Sequence, residues 1–127
     1  MARPATSSTT SDVIRVVDLE VYARVGVSDA ERSEAQRLLI SLEMAVASFS
    51  HAAGTDNLAR TVSYYDVAQH AKAFTIERPR KLLETVAEEL ALDLLMSFPI
   101  LKITLEIKKF VLPDAGYVSV LIERTRA

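Results

Sequence analysis

The sequence predicts an α+β fold: a four-stranded antiparallel sheet with two helices on one face, in the order β-β-α-α-β-β. Three observations carry that prediction. Two long runs of apolar/polar alternation lie near the N-terminus, two segments with apolar residues at helical spacing fill the middle, and two further alternating runs close the chain. At 127 residues there is enough chain for one hydrophobic core and too little for two.

The first strand is read from Val13 to Val25. Its odd positions are Val13, Arg15, Val17, Leu19, Val21, Ala23 and Val25, while Asp18, Glu20 and Arg24 fall on the even ones. The segment Gly26 to Glu34 is polar and links to a second strand, where Leu38, Ile40, Leu42, Met44 and Val46 alternate with Arg37, Ser41 and Glu43. Alternation over this length favours an antiparallel pair with one covered face. Ser48 to Arg60, with the turn-forming Gly54-Thr55-Asp56-Asn57, reads as a connection holding at most a short helical turn.

Ser63 followed three residues later by Asp66 has the form of a helix start, and Tyr64, Val67, Ala71 and Phe74 repeat at helical spacing behind it. Pro79 interrupts. A second helix is expected from Arg80 or Lys81, with Leu83, Val86, Ala87, Leu90 and Leu94 on one face, ending before Pro99. The third strand places Ile103, Leu105 and Ile107 inward against Lys102, Thr104, Glu106 and Lys108, and after a turn at Pro113 to Gly116 the fourth carries Val118, Val120 and Ile122. Residues 1–11 read as a flexible polar tail and 12–127 as a single domain. Long first strands leave open sheet edges, for which pairing with further subunits is the natural remedy.

Composition narrows the function. Fifteen basic residues against 17 acidic ones give a net charge of −2, with no positive excess to hold a polyanion, so nucleic acid is an unexpected partner. The absence of cysteine removes disulfides, thiolate nucleophiles and thiolate zinc sites together. The two histidines, His51 and His70, are far apart and lack a third ligand at metal spacing, so no metal site is expected. Three glycines form no phosphate-binding loop. No run approaches the roughly 18 apolar residues of a membrane span. The opening residues lack the apolar core of a secretory signal, so a cytoplasmic location is expected.

Four short segments carry the chemistry: Gly26-Val27-Ser28-Asp29-Ala30-Glu31 followed by Gln36, Thr61-Val62-Ser63-Tyr64, Leu82-Leu83-Glu84, and Ile107-Lys108-Lys109 before Leu112-Pro113. Together they supply two acids, a phenol and an amine from separate elements, a set suited to proton transfer without a cofactor. Each residue also has a plainer explanation. Glu84 suits the positive end of its helix, Lys108 lies on the polar side of its strand, Tyr64 is a core or interface aromatic with Tyr65 as competitor, and Glu31 is a surface acid. A carboxylate at Glu84 could also accept two parallel hydrogen bonds from a planar N–C–N edge, each contributing about 1.5–3 kcal/mol.

The order and spacing of these segments resemble the dihydroneopterin aldolase family from about Asp12 to Arg124. The likeness extends to Asp56-Asn57-Leu58, to Glu84-Thr85-Val86-Ala87-Glu88 and to the closing Ile122-Glu123-Arg124. It implies a tunnelling fold, in which subunits join their sheets into a barrel, with tetrameric rings stacked as a homo-octamer. It also implies cofactor-free retro-aldol cleavage of 7,8-dihydroneopterin, a pterin, in folate or related biosynthesis. The family pattern selects Glu31 and Gln36 over Glu34, gives Glu84 with Leu83 the pterin ring, and places Tyr64, with Val62 and Ser63, in the active site of the neighbouring subunit. Where the family usually has Lys-Pro this chain has two lysines. Counting back from Val118 and Pro113 assigns Lys108 to the catalytic lysine and Lys109 to the proline, with Lys109 as the competing candidate. As a base Lys108 would need burial to lower its pKa. The related epimerase and a non-catalytic pterin-binding protein are the alternatives; zinc-dependent enzymes of the same fold would need ligands that this chain lacks.

Overall fold

The computed structural model describes residues 12–126. The tail expected over residues 1–11 lies outside them. The strands are β1 (Asp12–Ala23), β2 (Gln36–Val46), β3 (Lys102–Lys109) and β4 (Val118–Thr125), and they form one antiparallel sheet in the order β1-β2-β3-β4. A four-residue helix α1 (Asp29–Arg32) joins β1 to β2. After β2 come a short helix α2 (Ser50–Thr55), a 3-10 turn (Leu58–Arg60) and the two main helices, α3 (Tyr64–Ile76) and α4 (Leu83–Ser97). Among the described residues no helix is long and apolar enough to cross a membrane.

The core lies between the sheet and the two main helices. Leu38, Ile40, Leu42 and Met44 from β2 and Ile103, Leu105 and Ile107 from β3 meet Val67 and Ala71 of α3 and Val86, Leu90 and Leu94 of α4, all buried. These are the inward positions that alternation and helical spacing select. On β4, Val120 and Ile122 pack against the same core. The Ser63 hydroxyl accepts from the Asp66 amide and starts α3 as expected, since that bond satisfies one of the helix's orphan donors.

Two features depart from the sequence reading. In β1 the alternation slips: Val16 pairs with Leu42 but Leu19 with Ile40, so Val17 and Asp18 stand opposite the single residue Ser41. This bulge moves the inward set to Ile14 and Val16 before it and to Leu19, Val21 and Ala23 after it, leaving Val13, Arg15 and Val17 outward instead of inward. Asp18 takes the left-handed conformation at φ 55° and stitches the bulge shut, its amide donating to Ser41 Oγ at 3.0 Å and its carboxylate accepting from that hydroxyl at 3.3 Å. The second departure is the start of α4. It begins at Leu83 because Arg80 is held extended in a parallel bridge to Val25.

The bulge yields a stability prediction. Asp18→Gly and Asp18→Val both lose the carboxylate's bonds to Ser41 and Lys108 while keeping the backbone amide that donates to Ser41, so the difference between them isolates the left-handed backbone. The valine variant should be less stable by about 1–2 kcal/mol, read from urea denaturation midpoints at a common slope.

Candidate active site

Lys109 ends β3 on the inward face shared with Ile103, Leu105 and Ile107, where an apolar residue would continue the pattern. A buried ammonium needs acceptors. Lys109 finds two: its Nζ donates to the Val25 carbonyl at 2.6 Å and to Glu31 Oε2 at 3.3 Å. The Val25 carbonyl also receives Gln36 Nε2 at 3.2 Å, and that amide nitrogen donates to the Glu31 carbonyl at 2.8 Å. Residues from the end of β1, from α1, from the start of β2 and from the end of β3 thus meet around one short stretch of backbone.

Glu31 is fixed by a reciprocal cap. The Ser28 hydroxyl accepts from the Glu31 amide, and Glu31 Oε1 accepts from the Ser28 amide at 3.2 Å, so one carboxylate oxygen serves the helix start while the other faces Lys109. The Ser28 amide, and next the Lys109 ammonium, hold the Glu31 carboxyl below its ordinary range. Gly26 makes the approach possible. Its φ is not positive, but a Cβ there would collide with the Glu31 side chain, so the requirement is space.

Glu84 enters through the backbone. The Arg80 amide donates to the Arg24 carbonyl at 3.1 Å and the Gly26 amide to the Arg80 carbonyl at 3.0 Å, so the stretch leading into α4 lies alongside Val25 and Gly26. Glu84 sits in the first turn of α4, exposed, its carboxylate without a hydrogen bond to another described residue; Leu83 beside it is half-buried against the core.

Lys108, the lysine preferred on sequence, is on the other face of the sheet. Its Nζ donates to Asp18 Oδ1 at 3.2 Å and lies 4.8 Å from the centre of the Tyr117 ring. The Asp18 hydrogen bond raises the Lys108 pKa. The two lysines are adjacent in sequence and point opposite ways because side chains alternate along a strand. The one that meets Glu31 is Lys109.

The remaining predicted residues sit elsewhere. Tyr64 is 65% exposed and borders a recess of about 710 Å³ with Val13, Ile14, Phe49, Leu58 and Val62. Val62 is buried and Ser63 caps α3. Ile14 pairs with Met44, whereas Lys109 pairs with Leu38, six residues further along β2, or roughly 20 Å. One chain therefore brings together Glu31, Gln36 and Lys109, sets Glu84 close by in sequence to the Arg80 bridge, and leaves Tyr64, Val62 and Ser63 towards the far end of the sheet. The sequence reading missed Ser28, although Ser28-x-x-Glu31 has the same capping signature used to find α3. It also missed Asp18 and Arg80, whose roles depend on a bulge and a bridge with no sequence signal of their own.

A four-stranded antiparallel sheet with its main helices on one face, in this connectivity, defines a tunnelling-fold subunit. A uricase from Bacillus fastidious shares the fold at a TM-score of 0.61 and 13% identity, over 91% of this chain and 43% of that one, a likeness of fold alone. Within that class the chain belongs to the dihydroneopterin aldolase family, whose model matches residues 14–123. The dihydroneopterin aldolase of Bacillus subtilis is 35% identical over 117 residues, covering 91% of this chain and 97% of its relative. The crystal structure of the Escherichia coli dihydroneopterin aldolase in complex with neopterin matches at a TM-score of 0.85 and 32% identity, over 89% of this chain and 98% of that one.

The Glu31 contacts set its titration. Lys109→Met should move the Glu31 pKa up towards its ordinary value near 4.5, but only part of the way, because the Ser28 amide is the larger cause. The measurement is the side-chain carboxyl carbon shift against pH. Since the folded pKa is depressed, the stability that Glu31 contributes is present above the ordinary value and lost as pH falls through the lowered one.

Proposed function

We propose that this chain is a dihydroneopterin aldolase, cleaving 7,8-dihydroneopterin into 6-hydroxymethyl-7,8-dihydropterin and glycolaldehyde, with Lys109 as its catalytic amine. The observation that carries the assignment of residues is the Lys109–Glu31 contact at the end of the sheet. Neopterin in the Escherichia coli relative supports a pterin as the substrate class.

The reaction needs the 2′-hydroxyl proton removed as the C1′–C2′ bond breaks. The electron pair of that bond passes into the C6=N5 imine of the dihydropterin, so the substrate carries its own electron sink. Lys109, in its neutral form, takes the proton directly or through a water, and Glu31 holds that water and the hydroxylated side chain. C1′ of the resulting enamine is then protonated with the help of Tyr64 from a neighbouring subunit. Glu84 binds the pterin by its N–C–N donor edge, with Leu83 and the neighbour's Val62 and Ser63 framing the ring. Borrowing Tyr64 from another chain accords with its distance from Lys109 along β2, and the outer edges of β1 and β4, which pair with no other described strand, offer the means of joining subunits.

The two lysines should separate cleanly when glycolaldehyde release is assayed. Lys109→Ala should lower kcat by about 10²- to 10⁴-fold, whereas Lys108→Ala, which removes the Asp18 pair and the Tyr117 ring contact on the other face of the sheet, should stay within a few-fold of wild type. Glu84→Ala should act mainly on KM, because the ring anchor is used in ground and transition states alike. A silent Lys109→Ala would overturn the assignment. In sedimentation the active species should be far heavier than the 14.0 kDa chain; full activity in a monomer would refute the shared site.

A further inference from the structure

Arg80 has no part in the chemistry above, yet its side chain is 1% exposed. Its Nη1 donates to the carbonyls of Thr75 at 3.1 Å and Arg78 at 3.0 Å, and reaches that of Phe74 at 3.5 Å. These groups lie at the C-terminal end of α3 and just beyond it, where unpaired carbonyls favour a cation. Nε donates to Glu89 Oε1 at 2.9 Å on α4, and the Phe74 ring lies 5.1 Å from the guanidinium carbon. Glu89 is held below its ordinary pKa range, with the Arg80 hydrogen bond as the largest cause. The backbone of Arg80 makes the bridge as well, its amide donating to the Arg24 carbonyl and its carbonyl accepting from the Gly26 amide.

Helix α4 has no side-chain cap: Leu82 occupies the N-cap position and has no polar group to offer. What fixes the beginning of this helix is Arg80, two residues before Leu82 and four before Glu84. Burying a guanidinium is costly, and Nη2 finds no partner among the described residues, so an apolar side chain would fill the space with less penalty. What the arginine provides is a fixed geometry linking three elements.

Resting on the aldolase reading, we propose that Arg80 is a positioning residue that sets Glu84 relative to the Lys109–Glu31 end of the site, by tying the end of α3, the second turn of α4 and the Val25–Gly26 backbone to one guanidinium and its peptide. It touches neither substrate nor reacting atoms. Its effect is on the alignment of the ring anchor, and therefore on substrate affinity more than on the chemical step.

The test uses the full chain in its assembled form, with Arg80→Met, Arg80→Lys and Glu89→Gln compared well below their thermal midpoints. For Arg80→Met, KM for dihydroneopterin and Kd for neopterin should each rise about tenfold, the worth of one charge-assisted bond at Glu84, while kcat stays within about threefold. Arg80→Lys should recover part of that affinity. If Arg80→Met does not fold, Glu89→Gln, altered at a half-exposed position, still reads the effect as a rise in KM of about two- to threefold. A lowered midpoint with KM and Kd unchanged would show a merely structural arginine and overturn the proposal, as would a fall in kcat at constant KM. Wild-type protein that neither turns over dihydroneopterin nor binds neopterin would overturn the aldolase reading and this inference with it; active wild type with insensitive variants would overturn this inference alone.

Discussion

The carbonyl of Val25 is the point on which the site depends. It accepts Lys109 Nζ and Gln36 Nε2 together, while the N–H of the same peptide, that of Gly26, donates to the Arg80 carbonyl. An ammonium at the inward end of β3 would be untenable without such acceptors. Its requirement orders the surroundings: a glycine after Val25 so that Glu31 can close in, a serine three residues before Glu31 so that its carboxylate is aimed, and a glutamine at the start of β2 to hold the turn. Packing builds the sheet, but polar satisfaction at one strand end makes the site.

Apolar patterning was readable because burial is decided residue by residue. β2, β3 and the inward faces of both main helices follow the spacing of Leu, Ile, Val and Met. The first half of β1 was misread because a bulge adds one residue without leaving a mark in the pattern, and valine at 13 and 17 is as compatible with an outward as with an inward position. The start of α4 was placed early because a proline followed by basic residues looks like a helix opening, whereas the peptide of Arg80 is already committed to the strand end beside it. In both places a long-range hydrogen bond overrode the local signal.

The lysine assignment shows the same limit at the level of chemistry. Counting back through the loop from Pro113 and Val118 depends on the length of that loop, which is the quantity most free to vary in a hairpin connection. Counting forward along β3 depends on side-chain alternation, which is not free to vary. Ile103, Leu105 and Ile107 fix the inward phase, and Lys109 is next in that phase. The observation that a charge on the inward face is unusual was already available in the sequence, and it was the better guide: an ionised group where packing calls for an apolar one needs a partner, and Glu31 is that partner.

Division of the predicted residues along the sheet bears on how such a site can evolve. Lys109, Glu31 and Gln36 are coupled through direct contacts, so a change at one is felt at the others. Tyr64 shares no contact with them in the chain and is attached to a different wall, beside Val13, Ile14 and Val62. If two subunits complete one site, the wall with the lysine and the wall with the tyrosine can vary independently, constrained only by the edges at which β1 and β4 meet their neighbours. With Lys109 taken as the catalytic amine proposed above, Phe110 stands where the family usually has proline, which fits that freedom. Phe110 lies beneath the Arg37 guanidinium at 4.5 Å and edge-on to Tyr117 at 6.5 Å. Aromatic packing on the outer face can thus hold the end of β3, a task that a rigid ring would otherwise serve through its fixed φ.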